Sequence, residues 1–177
     1  MRKLAAVVIG HKQEFPGAKN ESYGITEFEF NDYLSKKIQQ GSKNTSVIRV
    51  YRTTYKNLPM ELNTLHPDFI ISLHCNAYDT QVSGTEVLYY YKSKNGKIMA
   101  SILQKHLLKA LDLKNRGIKP KTAEDRGGYL LKYTKAPCVI AEPFFIDNDS
   151  DYVIAACDID KLVQAYVNAI DEISENL

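Results

Sequence analysis

No stretch of this 177-residue chain approaches the roughly 18 consecutive apolar residues of a membrane-spanning helix, so insertion into a bilayer is not expected. The amino terminus, MRKLAAVVIG, does place Arg2 and Lys3 ahead of an apolar run, the order found in a secretory signal. The run stops at His11 and Lys12, short of the roughly 7–15 apolar residues of a signal core. It reads instead as a first β-strand, and synthesis in the cytoplasm without a signal peptide is the expectation. Cysteine is scarce. Cys75, Cys138 and Cys157 are odd in number and far apart, with no CxxC or zinc-finger spacing, which excludes a disulfide framework and suits a reducing compartment. A charge bias is also missing: the net charge of +2 is too small to argue for nucleic acid as a partner. Internal repeats and low-complexity segments are absent. What remains is 44% hydrophobic and 25% charged, the balance of a soluble globular protein, and long enough to bury the core of one domain spanning residues 1–177.

Along the chain, apolar β-branched runs alternate with helical patterns. Leu4 to Ile9 suits a strand buried on both faces. Pro16-Gly17 marks a turn. Thr26 to Gln40 reads as a helix, with Thr26 and Glu29 spaced as a capping box and Phe30, Leu34 and Ile38 forming one apolar stripe. Further strands are predicted over Ser46 to Arg52, Phe69 to His74, Thr85 to Tyr91 and Cys138 to Glu142, and helices over Glu61 to Leu65, Lys97 to Leu113 and Lys161 to Ile173. Asn115 to Gly128 reads as polar and irregular, and Tyr129 to Lys132 as a short strand or a turn. This order predicts an α/β domain with a twisted, mostly parallel or mixed sheet flanked by helices.

Three of the apolar strands end on residues able to do chemistry. Leu4 to Ile9 runs into Gly10-His11, Phe69 to Leu73 into His74, and Cys138 to Ala141 into Glu142. In parallel strands these side chains share the carboxyl edge, where open α/β sheets place their sites. Glu27 opens the helix after the His11 loop, where its charge suits the positive helix end, and the loop is long enough to return it beside His11. Two imidazoles and one carboxylate form a His₂Glu donor set for zinc with a fourth position open to water. Each residue also has a plainer role: His11 and His74 as buried, satisfied histidines, Glu27 as a first-turn glutamate, and Glu142 as a salt-bridged strand-end carboxylate. Cys75 alternates with His74 and belongs to the opposite face. His106, near apolar helix positions, reads as structural, and His66 as a loop residue.

Five stretches in order then resemble one family. They are Gly10-His11 with Pro16-Gly17-Ala18; Gly24-Ile25-Thr26-Glu27 with Asn31; Val50-Tyr51-Arg52-Thr53; Ser72-Leu73-His74-Cys75-Asn76-Ala77 with Gly84-Thr85-Glu86-Val87; and Arg126, Leu130-Leu131 and Ala136-Pro137-Cys138-Val139-Ile140-Ala141-Glu142, continued by Phe145-Ile146-Asp147-Asn148 and Asp151. Over nearly its whole length the chain resembles the zinc-dependent N-acetylmuramoyl-L-alanine amidases of bacterial cell walls and phage endolysins. The resemblance implies that His11, Glu27 and His74 bind one Zn²⁺ ion and that Glu142 is catalytic. It implies hydrolysis of the amide between N-acetylmuramic acid and L-alanine, with peptidoglycan as partner and the bacterial cell wall as the place of action. Asn76 is expected to orient a ligand or touch substrate, and Arg126 to pair with a stem-peptide carboxylate or to hold Glu142. The chain departs from the family at Val8-Ile9 before Gly-His, at Lys12-Gln13 after it, at Met60-Glu61 where an arginine is common, and at Pro143 after Glu142. These departures bear on the substrate pocket more than on the metal ligands. A zinc peptidase acting on stem or cross-link peptides and a non-catalytic peptidoglycan-binding module are the alternatives. A compact lysin, and a catalytic domain whose wall-binding partner domain lies elsewhere in a longer chain, both fit.

Overall fold

The computed structural model describes residues 2–177. In chain order the elements are β1 Leu4–Ile9, β2 Lys19–Asn20, β3 Ile25–Thr26, α1 Glu27–Gly41, β4 Ser46–Tyr51, α2 Leu58–Leu65, β5 Phe69–Leu73, β6 Thr85–Tyr90, α3 Lys94–Leu111, β7 Asn115–Lys121, α4 Gly128–Tyr133, β8 Cys138–Glu142, α5 Asp149–Cys157 and α6 Ile159–Asn176. Six strands form one mixed sheet in the order β4-β1-β5-β8-β6-β7. β4, β1, β5 and β8 are mutually parallel, while β6 runs antiparallel to β8 and carries β7 parallel to itself. β2 and β3 pair as a small separate ribbon.

Alternation along the strands divides the interior. Ala5, Val7, Ile71, Leu73, Val139 and Ala141 point to one face, where they meet Phe30, Leu34 and Ile38 of α1, Met99 and Leu103 of α3, and Tyr166 and Ile170 of α6. Ala6, Val8, Ile70 and Ile140 point to the other, covered by Leu58 and Leu62 of α2 and Leu130 and Leu131 of α4. Apolar residues on both faces are what a central parallel strand requires. β1 feeds β4 on one side and, after α2, the chain returns to β5 on the other side of β1. The carboxyl ends of β1 and β5 therefore flank the point where the strand order reverses, the place where open α/β sheets form crevices.

Local chemistry explains the boundaries. Thr26 caps α1: its hydroxyl accepts the Glu29 amide at 3.3 Å and the Glu29 carboxylate accepts the Thr26 amide at 2.9 Å. Ser93 accepts the Gly96 amide and starts α3 three residues before the predicted Lys97. Pro59 stands in the first turn of α2, which opens at Leu58 rather than Glu61. Three segments differ in kind from the sequence-based expectation. Residues 115–121, predicted irregular, form the edge strand β7; Pro120 is tolerated there because an edge strand need not donate on its outer side. Residues 128–133 form a helical turn and a half where a short strand or a turn is expected, led in by Gly127 at φ +82°. Asp149–Cys157, not predicted as a helix, is capped by the Asn148 side chain, which accepts the Ser150 and Asp151 amides. No helix among the described residues is long and apolar enough to cross a membrane.

Candidate metal centre

His11, Glu27 and His74 converge at the strand-order reversal. Gly10 continues β1 and donates its amide to the Leu73 carbonyl at 2.9 Å, locking the end of β1 to the end of β5. A Cβ at Gly10 would lie 2.4 Å from that carbonyl and 2.8 Å from His74 Nδ1, so only glycine lets the two strand ends approach. His11 follows with φ +66°, a left-handed conformation uncommon outside glycine and typical of functional sites. His74 leaves β5 with its amide on the Ala141 carbonyl of β8 at 3.0 Å, one residue before Glu142.

Glu27 is placed from the loop that precedes it. The first amides of α1 lack intrahelical acceptors. The loop supplies them: Glu27 donates to the Ala18 carbonyl at 2.8 Å and Phe28 to the Pro16 carbonyl at 2.9 Å. The turn between needs Gly17, at φ +82°, where a Cβ would sit 2.6 Å from Glu27 Oε2. Asn20 pins the loop from the other side, its amide donating to the Ile146 carbonyl and to Asp149, both at 2.9 Å. Pro16-Gly17-Ala18 thus docks the start of α1 beside His11.

The carboxylate of Glu27 is 1% exposed and both of its oxygens have polar partners. Oε1 accepts the Cys75 amide and lies beside His74 Nδ1, both at 3.0 Å. Oε2 accepts the Ala18 amide at 3.3 Å and lies 3.1 Å from His11 Nε2. The imidazoles meet edge to face, with centroids 5.3 Å apart, and one ligand atom from each of the three residues falls within 4.8 Å of the others. Burial by itself would raise the Glu27 carboxyl, but the contacts and charges of His11 and His74 outweigh it and hold the group well below the usual carboxylate range. His11 Nε2, although close to Oε2, is buried without a well-directed hydrogen bond. A buried nitrogen in that state calls for another partner. A cation between two imidazoles and an ionised carboxylate satisfies it, and this nitrogen-rich donor set suits zinc.

His11 and His74, joined by the buried Glu27, line a cleft of about 400 Å³ on the α2–α4 side of the sheet. Val8, Leu88 and Ile140 form its apolar floor, and Arg52, Tyr55, Arg126 and Tyr129 its walls. Glu142 faces into it from the end of β8, two residues after Ile140 and so on the same side of the sheet. Its side chain makes no hydrogen bond among the described residues, and burial pushes its pKa up; His74 and Arg126 pull the other way, while Glu27 and Glu86 add to the rise. Arg126 is exposed on the wall and makes no ion pair among the described residues. Asn76 is not brought to the cleft. Its amide donates to Glu86 Oε1 at 3.0 Å, and Glu86 in turn accepts Arg116 at 2.8 Å, a chain lying behind the His74 loop. Cys75 is buried in the opposite core, as alternation predicts. His106 pairs with Glu172 at 2.7 Å and His66 ends α2. The reading of the sequence passed over Arg52 and Tyr55 as part of the site; the available signal was Tyr51-Arg52 at the carboxyl end of a parallel strand, the position that had already singled out His11 and His74.

Comparison with known proteins adds three findings. Residues 6–172 match the family model of N-acetylmuramoyl-L-alanine amidase. Among curated proteins, the chain is 27% identical over 179 residues to the uncharacterised YqiI of Bacillus subtilis (strain 168), covering 96% of this chain and 84% of that protein. It is 29% identical over 151 residues to the N-acetylmuramoyl-L-alanine amidase LytC of the same strain, covering 80% of this chain but only 29% of LytC. Among solved structures, an N-acetylmuramoyl-L-alanine amidase from Clostridium difficile 630 superposes with a TM-score of 0.85 at 19% identity, over 97% of this chain and 96% of that one, which shows a shared fold.

Proposed function

The chain belongs to the N-acetylmuramoyl-L-alanine amidase family, and from that premise we propose that it hydrolyses the amide joining the lactyl group of N-acetylmuramic acid to the L-alanine of the peptidoglycan stem, as a zinc-dependent catalytic domain acting at the bacterial cell wall. The observation that carries this reading is the cluster of His11, Glu27 and His74, whose two imidazoles share one cleft with Glu142. His11, Glu27 and His74 would hold the ion. Zinc in such a donor set acidifies water towards a pKa of roughly 7 and polarises a carbonyl.

The chain's own groups account for the rest. Glu142 accepts a proton from the attacking water at its carboxylate and delivers it to the departing nitrogen. The carbon–nitrogen bond breaks, leaving a carboxylate on the lactyl group and a free α-amine on L-alanine. Burial raises the pKa of Glu142, which makes its carboxylate a stronger base towards the water's proton. Glu27 keeps its charge in the presence of both imidazoles and holds them facing one another. Gly10 and Gly17 permit that approach. Arg126, on the wall and free of ion pairs among the described residues, is available to a carboxylate of the stem peptide, and its charge also acts on Glu142. Asn76 supports the His74 loop through Glu86.

The test is product analysis on purified peptidoglycan with zinc-loaded protein and a chelated control. New L-alanine amino groups together with peptide-free glycan, both lost on chelation, support the amidase. New amino groups from within the stem or cross-link would make it a peptidase. Sedimentation with walls without release would leave a binding module.

A further inference from the structure

We propose that Tyr55, Tyr129 and Tyr133 form a second binding surface, adjoining the metal centre, on which sugar rings of the glycan strand stack. The proposal rests on the amidase reading for the identity of its polymer. Tyr129 lines the catalytic cleft and also a separate depression of about 490 Å³ on the outer side of α2 and α4. The ring of Tyr55 lies 5.9 Å from that of Tyr129, and Tyr133 follows at 4.7 Å. Tyr129 and Tyr133 are one turn apart on α4 and share a helix face. The three rings therefore make a continuous aromatic track leading out of the cleft.

The track is exposed and firmly held. Tyr55 is 40% exposed, Tyr133 49% and the neighbouring Met60 63%, a concentration of apolar surface that marks a contact site. Asn63 of α2 clamps the end of α4, donating to the Tyr133 carbonyl at 3.1 Å and accepting the Lys135 amide at 2.7 Å. The Tyr129 hydroxyl donates to the Lys56 carbonyl at 3.3 Å. Two other exposed tyrosines are engaged differently: Tyr51 with Arg49 and Asp32, Tyr23 against Tyr152.

The chemistry of the surface selects its occupant. Sugar rings offer apolar C–H faces to aromatic faces and hydroxyls at their edges. Lys56 and Lys135 border the depression as hydrogen-bond donors, and no acidic residue lines it, so it accepts a polymer carrying stem-peptide carboxylates. A partner helix would instead seek a broad aliphatic groove. The track also begins at the cleft wall, next to the site that the lactyl group of the glycan would reach.

Binding is measured by calorimetry with peptide-free glycan strands as the probe, and turnover is compared on intact peptidoglycan and on a single disaccharide–stem-peptide fragment. Tyr133→Ala should weaken strand binding about three- to tenfold and should raise KM on the polymer more than on the fragment. Tyr133→Phe, which keeps the ring, should bind as the unaltered protein does, and so should Tyr78→Ala, on a separate exposed tyrosine. Equal binding by Tyr133→Ala, or an equal loss in Tyr133→Phe, overturns the track. An unaltered protein that binds strands but releases no peptide sinks the amidase reading and leaves the track standing. One that releases peptide without measurable affinity for strands does the reverse.

Discussion

The sheet face covered by α1, α3 and α6 buries Phe69, Met99, Leu103, Tyr166 and Ile170 under three long helices, whereas the face covered by α2 and α4 has two short ones and a smaller core around Val8, Leu62 and Ile140. The first face is sealed. The second leaves the carboxyl ends of β1, β5 and β8 open as the cleft. Because side chains alternate across each strand, His74 and Glu142 fall on the open side while Cys75 and Ala141 fall on the sealed one. The fold thus separates the residues that stabilise from those proposed for the reaction, although they are neighbours in sequence. The largest effect expected from this separation is functional without being structural. Glu142→Gln should lower turnover by about 10²–10⁴, with zinc content and melting temperature essentially retained. Full activity in that variant would remove Glu142 from the reaction.

The converse belongs to the sealed face. Leu103→Ala should cost about 2–5 kcal/mol in denaturant unfolding, with turnover per folded molecule unchanged well below the transition. Leu130→Ala, buried but bordering the cleft, should cost less stability, because the space it leaves opens to water, and should alter KM. If both variants lost only stability, the division between the faces would fail. Gly10→Ala tests the seam between them. Its methyl group would meet the Leu73 carbonyl and the His74 ring, so it should displace a ligand and weaken zinc about 10–100-fold in a chelator competition. Unchanged affinity would mean that the strand ends yield more easily than their packing implies.

How much of this was readable beforehand depended on pattern length and burial. β1, β5 and β8 are short apolar runs that stop abruptly at His11, His74 and Glu142, and both the strands and their polar ends could be read directly. Thr26 and Glu29 announced the start of α1 and hence the place of Glu27. β7 was missed because an edge strand is only partly buried and this one contains Gly117 and Pro120, which speak locally for a turn. α4 was misread because six residues cannot display a helical period, and its lead-in is a left-handed glycine rather than a capping side chain. The reversal of β6 and β7 against the rest of the sheet is set by connections across the fold and leaves no local mark. The walls of the cleft, Arg52, Tyr55 and Tyr129, come from loops and a short helix, so only the tertiary structure collects them. The candidate ligands lie on strand ends and a helix start and were legible for the same reason that they are rigidly placed.

The smallest effect expected lies at the rim of the sealed face, where Asp32 of α1 joins Arg49 of β4 at 2.6 Å and Lys36 at 2.5 Å, with Tyr51 completing the group. Burial by itself would raise the Asp32 carboxyl, but its hydrogen bonds to Lys36 and Tyr51 and the charges of Lys36 and Arg49 prevail, so its pKa is lowered in the folded protein. A lowered folded pKa means that the unfolded chain takes up the proton first on acidification. The stabilisation is therefore complete above the ordinary aspartate value of about 3.9 and is lost as pH falls from there through the folded value. Asp32→Asn should cost about 1 kcal/mol at neutral pH, since the group is partly open to solvent and screened, and the difference from the unaltered protein should close in acid. Urea unfolding of both proteins across that range measures it. Zinc content and turnover should stay constant throughout the neutral range, because Asp32 supports the helical layer and the cleft opens on the opposite face of the sheet.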